Sequence, residues 1–144
     1  MTKVLLSLHV LAAILVIGPI AVAASLFPRY ARQAGDGVAT FLHRICRGYT
    51  AAGIAVPILG LATGAVLGVL TDPWLIASLI LTTIAAAVLA AAILPGQRRM
   101  LTAGGGEETA SLAARLGMLT GAFNLLWAIV VVLMIVRPGS TTGT

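Results

Sequence analysis

Residues 49–70 read YTAAGIAVPILGLATGAVLGVL, an apolar run close to the ~20 residues that an α-helix needs to cross a bilayer. Gly60, Gly64 and Gly68 recur in it at four-residue spacing and share one face of a helix. Lipid offers no hydrophobic drive between helices, and residues without a Cβ let neighbouring backbones come close enough to pack. The spacing predicts a central packing helix with a glycine-lined face. Pro57 takes a hydrogen bond from the carbonyl of Gly53 and predicts a kink there.

Working outward, three more apolar blocks cover residues 4–27, 74–94 and 116–136. With 60% hydrophobic and 9% charged residues and a mean hydropathy of +1.09, the chain is not an ordinary soluble domain. The first block resembles a signal peptide, but it is longer than an h-region and no small-residue cleavage site precedes a soluble domain, so it reads as a helix. The expected fold is all-α, a four-helix transmembrane bundle over residues 1–139. Its helices are expected near 4–27, 38–70, 74–94 and 107–136, with a flexible tail at 140–144.

The net charge of +5 does not form a basic module for nucleic acid, because the basic residues flank the apolar blocks. Seven of the nine Lys and Arg lie at the two long connections, Arg29, Arg32, Arg44, Arg47, Arg98, Arg99 and Arg115, whereas Lys3 and Arg137 mark the opposite side. The positive-inside rule places the connections in the cytoplasm and both termini outside a bacterial plasma membrane. The halves also read as copies. Pro28, Arg32, Gly35-Asp36-Gly37 and Arg47 correspond to Pro95, Arg99, Gly104-Gly105-Gly106 and Arg115, which predicts two parallel-repeated helical hairpins.

Chemistry-bearing side chains are few. The four acids, Asp36, Asp72, Glu107 and Glu108, fall in connections, so no carboxylate sits at bilayer depth to drive a coupled transporter. His9 is the one ionisable group well inside a span. Three readings stand: a ligand to haem iron or copper, a proton relay, or a neutral histidine hydrogen-bonding across the bundle near the outer interface. Met134 is the sulfur expected at the same outer level, and His with Met is an accepted haem pair; Met134 also reads as core filler. His43 lies about 25 Å deeper and reads as interfacial. The single cysteine, Cys46, excludes an intramolecular disulfide and reads as a bystander sharing a face with Phe41, Leu42 and Ile45. Asn124 is expected to donate to the carbonyl freed by Pro57. No acid, base and nucleophile gather at one depth, so no catalytic residue is assigned.

LHVLAAILVIG with PRYAR following, Trp74-Leu75-Ile76-Ala77-Ser78-Leu79, and Phe123-Asn124 leading to VRPG resemble a family of small four-helix bacterial integral membrane proteins of unassigned function. More distantly the chain is similar to HemJ-type protoporphyrinogen oxidases and CopD-type membrane domains. The resemblance implies haem binding at His9. The histidine and lysine of the HemJ-type helix-three pattern are replaced by Ile76 and Ser78, so a symmetric bis-histidine site is not expected. Two functions follow as expectations. One is binding of haem, a porphyrin or a similar redox ligand near the outer face. The other is an accessory or assembly subunit whose small-residue helix faces dock a partner membrane protein or a second copy.

Overall fold

A computed structural model describes residues 2–33, 37–103 and 105–139. Among them the chain is all-helical: α1 (Thr2–Ala31), α2 (Val38–Ala52), α3 (Ala55–Leu67), α4 (Pro73–Val88), a π-helical turn (Leu89–Ile93), α5 (Leu94–Thr102) and α6 (Glu107–Val136). These join into four spans, Thr2–Ala31, Val38–Leu67, Pro73–Thr102 and Glu107–Val136, each of 30 residues and each long and apolar enough to cross a membrane. At 1.5 Å per residue a span measures about 45 Å, against roughly 30 Å of hydrocarbon. The helices therefore extend beyond the apolar layer, or tilt within it.

The last span starts and stops where the sequence predicts, with Glu107 and Glu108 in its first turn, where carboxylates suit the helix dipole. The first span, expected at 4–27, runs from Thr2 to Ala31 and takes Pro28 inside it, and the boundaries of the second and third spans move for identifiable reasons. The second span is not one helix over 38–70. Pro57 cannot donate to the Gly53 carbonyl, which accepts the Val56 N–H at 3.1 Å instead, and the chain makes a turn at Gly53-Ile54 between α2 and α3. The same span ends at Leu67. Gly68 adopts φ 72°, its N–H bonding Ala65 and the Val69 N–H bonding Gly64, the paired bonds of a Schellman cap. Gly68 is thus a helix stop and not part of the packing face.

The third span runs past Pro95 to Thr102 rather than ending at 94. A proline cannot bond the carbonyl four residues back, here Ala91, and its ring presses on it. The π turn just before it widens the helix, with the Leu94 N–H reaching back to Leu89, which relieves that clash. At the opposite end Asp72 is the N-cap of α4 with Pro73 at its first position, a residue whose missing N–H and fixed φ suit that place. The tail at 140–144, Gly35 and Asp36 of the first expected glycine turn and Gly104 of the second lie outside the described residues.

Helix α1 packs against α2, α3 and α6, and α4 packs against α6, whereas α3 makes little contact with α4. The larger core gathers toward the end that carries the basic connections, around Phe27, Cys46, Ile93, Met100 and Leu116. A smaller cluster, Val69, Trp74 and Leu75, closes the end that carries the termini. Between these cores α3 and α4 diverge, leaving an apolar cleft of about 490 Å³ lined by Leu61, Leu70, Leu75, Ile76, Leu79, Ile80, Thr83 and Ile84.

Candidate functional site

His9 lies inside α1 and is 7% exposed. Its Nδ1 stands 3.0 Å from the Val56 carbonyl of α3. A carbonyl only accepts, so Nδ1 carries the hydrogen and, in the neutral ring, Nε2 keeps its lone pair. The ring rests on Gly60. A Cβ at that glycine would stand 2.9 Å from His9 Cε1 and 3.3 Å from Nδ1, closer than non-bonded carbon atoms approach. Gly64 plays the same part for Leu75, whose Cδ2 would lie 3.0 Å from an added Cβ. Two of the three expected glycines therefore pack, one under a histidine of α1 and one under a leucine of α4.

Met134 packs beside the cluster of Val69, Trp74 and Leu75, while His9 is held by Val56 and Gly60. The structure gives these two residues different surroundings. Above Met134, the Arg137 Nε–H donates to the Met134 carbonyl at 3.2 Å, and the guanidinium lies 5.3 Å from the centre of the Trp74 ring, a cation–π arrangement. The Trp74 indole N–H donates to Asp72 Oδ2 at 3.1 Å. Asn124 does not reach the carbonyl freed by Pro57. Its Nδ2 donates to Ser25 Oγ of α1 at 3.3 Å, and its Oδ1 accepts the Trp127 indole N–H at 3.2 Å. It remains an interhelical bond, between α1 and α6.

A second buried constellation was not foreseen from sequence. His43 and Cys46 of α2 are 6% and 0% exposed, and Gln97 of α5 is 1% exposed. The His43 Nδ1–H donates to Gln97 Oε1 at 2.9 Å, and the Gln97 Nε2–H donates to Cys46 Sγ at 3.5 Å. The Phe27 ring leans on the imidazole with centroids 6.4 Å apart. His43 is thus a core residue, not an interfacial one, and Cys46 is an acceptor in the network. Phe41, expected on the buried face of α2, is 61% exposed. The signal available in the sequence was the three-residue spacing of His43 and Cys46 together with one amide beside Pro95 on the facing span.

Among the described residues no three His, Cys, Asp or Glu side chains gather as a metal cluster. Two hydroxyls, those of Thr109 and Thr120, are buried without a hydrogen-bond partner among the described residues, and Thr120 is the more deeply buried residue. Thr120 of α6 is 3% exposed and has no hydrogen-bond partner among the described residues, and such a group costs roughly 1–3 kcal/mol. Thr120→Val is expected to stabilise the detergent-solubilised protein by about 1 kcal/mol, read from thermal melts. A clear loss of stability would show instead that the hydroxyl holds a bound molecule.

No protein-family model, no curated protein and no solved structure matches this chain.

Proposed function

We propose that the protein is a multi-pass membrane protein that binds haem, a porphyrin or a similar redox ligand through Nε2 of His9, close to the face carrying both termini. One observation carries this reading: the Nδ1–H of His9 is fixed on the Val56 carbonyl at 3.0 Å. Ligating histidines are characteristically oriented by a carbonyl or carboxylate on the other ring nitrogen, which also raises the basicity of the ligating one. His9 would be the residue that holds the group, through the one ring nitrogen that the Val56 carbonyl leaves free. Met134, placed among Val69, Trp74 and Leu75, is not part of the proposed ligand set. Bound haem would supply one-electron chemistry; the chain's own part is to fix the plane of the imidazole against Gly60, orient it through the Val56 carbonyl and keep water from it.

The proposed setting is a bacterial plasma membrane, with two parallel-repeated hairpins, both termini outside and the basic connections in the cytoplasm. The distribution of Lys and Arg supports that orientation. The test of ligand binding is an ultraviolet-visible spectrum of protein purified without added haem, oxidised and dithionite-reduced, beside His9→Ala. A Soret band lost in the variant is expected. A featureless wild-type spectrum that stays featureless through haem titration would remove the reading.

A second reading, an accessory or assembly subunit, is favoured by one observation. Gly60 and Gly64 are already filled from within, but Ala86, Ala87 and Ala90 on the third span are exposed and leave a small-residue face for a partner helix or a second copy. Co-purification of a stoichiometric partner from gently solubilised membranes would support it over ligand binding.

A further inference from the structure

At the basic end of the molecule, a cavity of about 90 Å³ opens between the third and fourth spans, and Arg99 of α5 and Arg115 of α6 both line it. Its other walls include Ala92, Leu112, Leu116 and Leu119. Ala92 and Leu119 lie one to two helical turns further toward the apolar middle of their spans than the arginines do. The cavity therefore joins a cationic mouth to an apolar slot along the membrane normal. Gly96 shapes it, because a Cβ there would stand 2.7 Å from Leu116 Cδ2 and would push that side chain out of its present position on the wall.

Both arginines are exposed, and among the described residues neither guanidinium has a hydrogen-bond or ion-pair partner. Residue 111, four positions before Arg115 on its own helix, is a serine, so no acid stands there to neutralise it. Two unpaired guanidiniums at one interfacial cavity present forked donors, the geometry that phosphate oxygens accept bidentately. Basic pockets between spans at this depth suit anionic lipid headgroups. We propose that this cavity binds one anionic phospholipid of the adjoining leaflet, its phosphate held between Arg99 and Arg115 and the start of an acyl chain lying along Leu116 and Leu119. The site is independent of His9 and of any ligand bound there.

The experiment is a lipid titration of the full chain in detergent, following the melting temperature and native mass spectra. The probes are phosphatidylglycerol, phosphatidylcholine with the same acyl chains, and inorganic phosphate. Phosphatidylglycerol is expected to bind at least tenfold more tightly than phosphatidylcholine, with inorganic phosphate ineffective. The double variant R99Q/R115Q should lose that preference, while R32Q/R47Q, which removes the same charge from the corresponding positions of the first half, should keep it. Ala92→Phe, which fills the slot and leaves both charges, should weaken phosphatidylglycerol as well. Equal loss in the two double variants would reduce the effect to general surface charge and overturn the site. Stabilisation by inorganic phosphate equal to that by lipid, or an unchanged response in R99Q/R115Q, would overturn it too.

Discussion

Replacing Gly60 with leucine is expected to destabilise the bundle by about 2–4 kcal/mol, the sum of overpacking a tight contact and breaking an interhelical hydrogen bond in the membrane. The reason is local. The His9 ring occupies the space where any side chain at position 60 would begin, 2.9 Å from Cε1, and the bond to Val56 holds the ring there. Even Gly60→Ala must displace the imidazole, despite alanine being a better helix former by roughly 1 kcal/mol. The decisive measurement is a double-mutant cycle. With His9→Ala as background, Gly60→Ala should cost nothing or stabilise slightly, giving a coupling above about 1 kcal/mol. Equal costs in the two backgrounds would mean that the glycine does not serve the histidine. The same variants recorded spectroscopically would show whether a ligand depends on the seat as well as on the imidazole.

Gln97→Ala is the second large effect, expected near 3 kcal/mol. The side chain is 1% exposed, so truncation opens a cavity and also leaves the buried His43 Nδ1–H without an acceptor, which alone costs roughly 1–3 kcal/mol. The paired change His43→Leu with Gln97→Leu removes donor and acceptor together and should cost under about 1 kcal/mol. Melting curves of the three proteins in one detergent decide it. A Gln97→Ala protein as stable as the parent would show that the basic end is held by its apolar core alone.

The contrast between these two sites shows what the sequence makes legible. The four spans were readable because a helix that crosses hydrocarbon needs about 20 apolar residues in a row, and α6 begins and ends as read, at Glu107 and Val136. His9 stood out because an imidazole deep in an apolar block is costly unless it is partnered. The arrangement around His43 was hidden because, in a membrane, apolarity no longer separates inside from outside. Phe41 faces outward, while polar His43 faces inward to an amide on another span. Pairing His43 with Gln97 required knowing which spans touch and in what rotation, and no local pattern carries that. Gly68 misled for a related reason, since four-residue spacing is blind to whether the last glycine packs a neighbour or stops the helix in a left-handed turn.

The π turn at Leu89–Ile93 also sets the angular phase of the third span. Each residue advances an α-helix by about 100°, so Ser78 and Gln97, nineteen positions apart in the sequence, would point about 100° away from each other on an unbroken helix. The π turn takes up one extra residue, which leaves an effective separation of eighteen, about five whole turns. Both side chains, each 1% exposed, thereby come onto one line along the span. Like a one-tooth slip between meshed gears, this extra residue allows a single rod to turn its inward side toward the bundle at both ends, with Ser78 in the upper half and Gln97 opposite His43 in the lower.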